Sequence, residues 1–381
     1  MKRIDDRAEP APAPTLPSTE PIRLVDRKGH RVVDSAYPTP DHGTLLTLLR
    51  SMVIGRRFDR QAGALARQGR LAVYPSSYGQ EACQIGGVLA LAEHDWLFPT
   101  YRDCVALVTR GIDPVDTLTL MRGDWHNGYD PGRYRCAPQC TPLATNASHA
   151  VGLTYAARRK GEDVAALVLM GDGATSEGDA HEAYNFAAVW NTPVVFLIQN
   201  NHWAISVPVR KQSAAPTLAH KAIGYGMRGY HVDGNDAAAV YSVVSHALGE
   251  ARAGGGPAII EAQTYRLDPH TNSDAPQRYR DESEVEYWKE RDPVARLEAL
   301  LRAEGRLDDA ELDRVAAEAE RLATDLRERL SGERSPRGTR DAGRRGGPAL
   351  SPDDLFTHVY AAAPPMLAQQ RQALLDELRG V

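Results

Sequence analysis

Cysteine is scarce in this chain of 381 residues, which has only Cys83, Cys104, Cys136 and Cys140. So small a set builds no disulfide framework, as expected in a reducing compartment. Only Cys136 and Cys140 stand close together, with Pro138 between them arguing against a helical pair. A zinc site completed by His126 or His149 is the minor alternative, because structural zinc normally shows two spaced ligand pairs; the thiols read as buried small side chains. Long apolar runs are missing too. The longest, Val164–Met170, falls far short of the ~18 residues a membrane span needs, and Met1–Glu20 mixes charges with prolines where a signal peptide would be apolar. A cytoplasmic protein is expected. Excess positive charge is also absent: 45 basic residues against 50 acidic ones leave a net charge of −5, so no overall field draws in nucleic acid or an anionic membrane.

What is present suits a large core, since 42% of the residues are hydrophobic. The length fits two or so domains, or one large α/β domain with appendages. Glu9–Pro21 is proline-rich and reads as a solvated arm. Apolar residues at helical intervals predict helices over Thr44–Gln68 and Gly79–Ala92. Asp163–Gly173 reads as a buried strand ending on Gly-Asp-Gly, Glu177–Trp190 as a helix, and Pro193–Gln199 as a second strand running into Asn200-Asn201. Together they spell a strand–helix–strand unit with a parallel pair. A third strand is expected over Pro257–Gln263, and Val232–Asp236 is a turn. Continuous apolar strands between helices predict an α/β fold: a mostly parallel sheet covered by helices on both faces. Asp308–Arg329 alternates charges and reads as a helix with a solvated face, Ser331–Pro348 as a flexible linker, and Ser351–Arg371 as a helical arm. The resulting division is an N-terminal arm, partly disordered, over 1–40, the α/β body over 41–300, a helical extension over 301–330, a linker over 331–350 and a C-terminal helical arm over 351–381.

Ligands of open parallel sheets bind beyond the C-terminal ends of the strands, where Asp172 and Asn201 are expected. They lie 29 residues apart, close to the ~30 of one strand–helix–strand unit, so a right-handed crossover brings both oxygens to one crevice. Two hard oxygen ligands suit Mg²⁺, which completes its shell with phosphate and water. Gly173 and Ala174 permit close backbone approach, and a helix starting near Ser176 offers N–H groups to an anion. A strand-to-helix turn needs such residues anyway; the matching Asn-Asn makes the pattern one of metal plus diphosphate.

The segment GDGATSEGDAHEAYNFAAVWNTPVVFLIQNNHWAIS resembles the cofactor signature of the α chain of thiamine-diphosphate-dependent 2-oxo acid dehydrogenases. The resemblance continues, in family order, through FPTYRD (Phe98–Asp103), TPLATNASHAVG (Thr141–Gly152), GYGMRGYHVDGND (Gly224–Asp236) and TYRLDPHTNSDAPQRYR (Thr264–Arg280). It covers roughly Leu45–Leu300 and implies the thiamine-diphosphate-binding fold. By position, it implies that Asp172, Asn201 and the main-chain carbonyl of Trp203 ligate Mg²⁺, and that Gly173 and Ala174 hold the diphosphate. Tyr101 and Arg102 close on the same phosphates; Thr141, Leu143, Gln199 and Arg266 also contact cofactor, and His270 is the active-site histidine. The implied activity is oxidative decarboxylation of a 2-oxo acid, with acyl transfer to a lipoyl arm of the acyltransferase core. A β chain completes the site, in an assembly of two α and two β chains. The HTNSD run and Leu355–Gln372 favour a branched-chain substrate, with pyruvate or acetoin as the alternative and a non-catalytic scaffold as the reading from another class. Two departures stand out. Gln199 replaces an Arg of the branched-chain members, and Cys140 and Asn146 replace a Ser and a Gln that hold potassium, which argues against that ion although Pro142 and Thr145 are retained. Thr271 stands where animal members carry a regulatory phosphoserine.

Overall fold

The computed structural model describes residues 16–124, 126–332, 353–357 and 360–379. Its centre is a parallel sheet of Trp96–Phe98 (β1), Ala166–Gly171 (β2), Val194–Asn200 (β3), Arg228–Asp233 (β4) and Ala258–Gln263 (β5), in the order β1-β2-β3-β5-β4. Successive side chains point to opposite faces. Leu167, Leu169, Val195, Leu197 and Ile260 therefore join one core, while Val168, Met170, Phe196, Ile198 and Ile259 join another on the far side. The first core is closed by His42–Arg67 (α1), Glu81–Leu89 (α2) and Ala237–Glu250 (α5), the second by Thr145–Lys160 (α3) and Gly178–Val189 (α4). The expected doubly covered sheet is thus the observed one, with the three expected strands found within a few residues of their predicted ends.

Helix α1 starts at Asp41, whose side chain accepts from the Thr44 N–H, and buries Leu45, Leu48, Leu49, Met52 and Phe58 along one stripe. The charged helix Asp309–Gly332 (α6) corrects its expected solvated face. It buries Val315, Ala319, Ala323, Leu326 and Leu330 against α1. Its charges reach across the seam, Glu318 pairing with Arg50 and Glu320 with Arg57, so alternating sign along the sequence masks an apolar stripe at three- and four-residue spacing. The terminal arm is helical over Asp354–Thr357 and Pro365–Arg379. Residues up to 15, and the expected linker beyond residue 332, lie outside the described residues. Cys83, Cys104 and Cys136 are buried, whereas Cys140 is partly exposed, a correction to its expected burial. No helix among the described residues is long and apolar enough to cross a membrane.

Candidate active site

Register builds the site. Gly171 at the end of β2 pairs with Gln199 on β3, so the chain leaves both strands side by side and carries Asp172 and Asn201 into one crevice. After β2 it tightens into a 3₁₀ turn, Gly173–Ser176, and α4 begins only at Gly178, two residues later than the expected start near Ser176. Close approach requires the glycine here: a Cβ on Gly173 would stand 2.7 Å from the Ala204 Cβ. After β3 a short antiparallel ribbon, Trp203–Ala204 with Val207–Pro208, folds over the crevice.

The crevice opens into a cavity of about 520 Å³. Eleven of the twelve expected site residues line it: Tyr101, Arg102, Thr141, Leu143, Asp172, Gly173, Ala174, Gln199, Asn201, Trp203 and His270, with Thr271 beside them. Arg266 stands behind the wall, where it donates to the carbonyls of Trp203 (3.1 Å) and Ile205 (2.8 Å) and to the Tyr279 hydroxyl (2.8 Å). The cavity also has an apolar end that sequence reading missed, formed by Val73, Pro75, Leu120 and Met121. Gln80 was missed as well; a lone glutamine carries no pattern.

Two buried charges face this space without an ion pair among the described residues. Asp172 is 1% exposed, its carboxylate accepts one side-chain hydrogen bond, from Gln212 at 3.2 Å, and among the described residues it forms no ion pair. Burial lifts its pKa from 3.8 to about 6. Arg102, equally without a carboxylate partner, donates to the Ser76 carbonyl (2.9 Å) and to both the carbonyl and Nδ1 of His270 (each 3.0 Å). A guanidinium only donates, so Nδ1 is an acceptor and the ring proton of His270 sits on Nε2. Burial, with Arg102 and Arg266 nearby, lowers the His270 pKa to about 4, so the imidazole is neutral at ordinary pH.

The donor set fits a divalent cation bound to a diphosphate. Asp172 and the Asn201 Oδ1 are hard oxygens, and the Trp203 carbonyl keeps a lone pair beyond its bond from Arg266. Around Cys140 and Asn146, where other family members hold potassium, the side chains make donor bonds to carbonyls. The Cys140 thiol donates to the Pro142 carbonyl (3.2 Å), and Asn146 turns its Nδ2 to the carbonyls of Phe98, Pro99 and Leu169. Gln199 departs from a phosphate-facing role in another way, because its Nε2 is bound 2.7 Å from the buried Asp103 carboxylate.

Comparison with known proteins identifies the family. The model of the dehydrogenase E1 component family matches residues 49–331. The alpha subunit of 3-methyl-2-oxobutanoate dehydrogenase from Mycobacterium tuberculosis is 45% identical over 361 residues, covering 94% of each chain. The alpha subunit of the pyruvate dehydrogenase E1 component from Staphylococcus aureus is 38% identical over 288 residues, 75% of this chain and 78% of its own length. With the parallel sheet, the paired strand ends and the cavity they frame, these matches establish that the chain belongs to the dehydrogenase E1 component family, beside the alpha subunits of 2-oxo acid dehydrogenases.

Proposed function

We propose that this chain is the α chain of a branched-chain 2-oxo acid dehydrogenase that binds thiamine diphosphate through Mg²⁺. One observation carries the reading: Asp172 and Arg102, both buried and neither in an ion pair among the described residues, line the same cavity. A cation held on a diphosphate satisfies the two at once. Asp172, Asn201 and the Trp203 carbonyl hold the metal. Gly173 and Ala174 let the backbone approach the diphosphate, and Tyr101 and Arg102 face it, while Gln199, its Nε2 held by Asp103, only lines the wall. Arg266 acts from behind, fixing the Trp203 and Ile205 carbonyls. Thr141 and Leu143, exposed at the lip, contact cofactor where a β chain closes the site. When bound, the cofactor supplies an electron sink for decarboxylation of a 2-oxo acid. His270 serves the reacting groups as a neutral imidazole that donates or moves the proton on Nε2. Catalysis also needs a glutamate from the β chain, and the acyl group leaves on a lipoyl arm of the acyltransferase core. The assembly is two α and two β chains in the cytoplasm.

The substrate reading draws on the 94% coverage of the 3-methyl-2-oxobutanoate relative against 75% for the pyruvate relative. The apolar end at Val73, Leu120 and Met121 offers contact to an aliphatic chain, although such a wall separates neighbours by only ~1–3 kcal/mol per methylene. The test is co-purification with the β chain and measurement of CO₂ release with a lipoyl acceptor. Faster turnover of 3-methyl-2-oxobutanoate than of pyruvate, dependent on Mg²⁺ and thiamine diphosphate, is expected. A preference for pyruvate overturns the substrate; cofactor binding without turnover of either leaves a scaffold.

A further inference from the structure

A metal site needs its oxygens turned inward, and an asparagine can present either oxygen or nitrogen. At Asn201 the choice is made by two neighbours. Its Oδ1 accepts from the Trp203 N–H (3.2 Å), while its Nδ2 donates to the Gln80 Oε1 (2.9 Å). The nitrogen is thereby pulled away, leaving the remaining lone pair of Oδ1 for the cation. Gln80 is 1% exposed on the cavity wall, and among the described residues its own Nε2 has no partner. An open buried donor of this kind is destabilising until an acceptor reaches it. At Asp172 the polarity is reversed: Gln212 Nε2 donates to Oδ2 (3.2 Å) and to the Val207 carbonyl (3.3 Å), tying the carboxylate to the ribbon that covers the crevice.

We infer that Gln80 and Gln212 are the positioning residues of the cation site, Gln80 acting as the acceptor that orients Asn201 and Gln212 as the donor that orients Asp172. The inference rests on the proposed Mg²⁺–diphosphate reading and extends it to two side chains that no sequence pattern marks. Partners that orient metal ligands are worth about 10–100-fold in metal affinity. Because the two glutamines work with opposite polarity, one replacement separates them. Gln80→Glu keeps an acceptor for Asn201; Gln212→Glu removes the donor to Asp172 and sets a second negative charge beside it.

The experiment uses the assembled α–β protein and follows quenching of tryptophan fluorescence by thiamine diphosphate as Mg²⁺ is titrated, with thermal melting as the check on folding. Gln80→Met and Gln212→Ala are expected to raise the Mg²⁺ midpoint about 10–100-fold, with cofactor affinity at saturating Mg²⁺ within several-fold of wild type. Gln80→Glu should keep the wild-type midpoint or lower it, whereas Gln212→Glu should behave like Gln212→Ala. Unchanged midpoints in Gln80→Met and Gln212→Ala overturn the inference and leave the proposed function standing, as does an equal response of both sites to Glu. If the wild-type assembly binds thiamine diphosphate with no dependence on Mg²⁺, both fall together.

Discussion

Replacing Asp172 by Asn is expected to act in opposite directions on the empty and the loaded protein. The carboxylate is 1% exposed, accepts one side-chain hydrogen bond and is lifted by burial from 3.8 to about 6. At neutral pH it is ionised all the same, and keeping it so costs the metal-free fold about 3 kcal/mol relative to the unfolded chain. A carboxyl raised in this way favours folding below its unfolded value, and that contribution is lost as pH rises through about 6. Asparagine has the same shape without the charge, and its Oδ1 still accepts from Gln212. Metal-free Asp172→Asn should therefore melt several degrees above metal-free wild type at neutral pH, the gap closing as the medium is acidified. Adding Mg²⁺ with thiamine diphosphate should stabilise wild type strongly and the variant little, since binding to the native state alone is what raises the melting point. Scanning calorimetry of the α–β assembly, stripped with chelator and then reloaded, measures both. A variant that melts below metal-free wild type, or gains as much on reloading, would refute Asp172 as an uncompensated cation ligand.

Three further outcomes are expected. His270→Ala should lose about 10²–10⁴ in turnover with the lipoyl acceptor while cofactor affinity stays within several-fold; loss of affinity in proportion to rate would make the histidine an ordering residue of its loop. Gly173→Ala sets a methyl 2.7 Å from the Ala204 Cβ, an overpacking worth about 1–3 kcal/mol, so calorimetry should find weaker cofactor binding, and wild-type binding would rule out close approach at that turn. Asp59, buried under hydrogen bonds from Tyr74, Ser76 and Ser77, is raised to about 6 chiefly by burial. It should withdraw up to about 3 kcal/mol of stability as pH climbs through that value. Denaturant midpoints on either side of pH 6 should differ less in Asp59→Asn than in wild type, and an unaltered difference would clear this group.

The sequence was most legible where both faces of a strand are buried. VAALVLM and PVVFLIQ are continuous apolar runs, so β2 and β3 could be placed, and with them Asp172 and Asn201 at their ends. β1 and β4 escaped for opposite reasons. Trp96–Phe98 is too short to show a period, and Arg228–Asp233 is an edge strand whose first three residues are only half-buried. In α6 the apolar stripe was hidden because charges of both signs flank it closely, two of them pairing across the seam with α1. Arg102 and His270 were found through family resemblance alone, since their convergence joins loops 168 residues apart. No local spacing records such a meeting, and the same holds for Gln80, 121 residues from the asparagine it orients.

The segment entering the fold at Ile22 has a consequence for handling the protein. Ile22 donates to the His231 carbonyl and accepts from the Asp233 N–H, lying along the free edge of β4, while Leu24 and Val25 are anchored by N–H bonds to the Asp236 carboxylate. It works as a selvedge, the woven border that keeps a cloth from unravelling. An unprotected edge strand invites another chain to pair with it. Fusions and affinity tags therefore belong upstream of this border, and trimming the terminus past Ile22 is expected to bare the edge of β4 to pairing with a neighbouring copy.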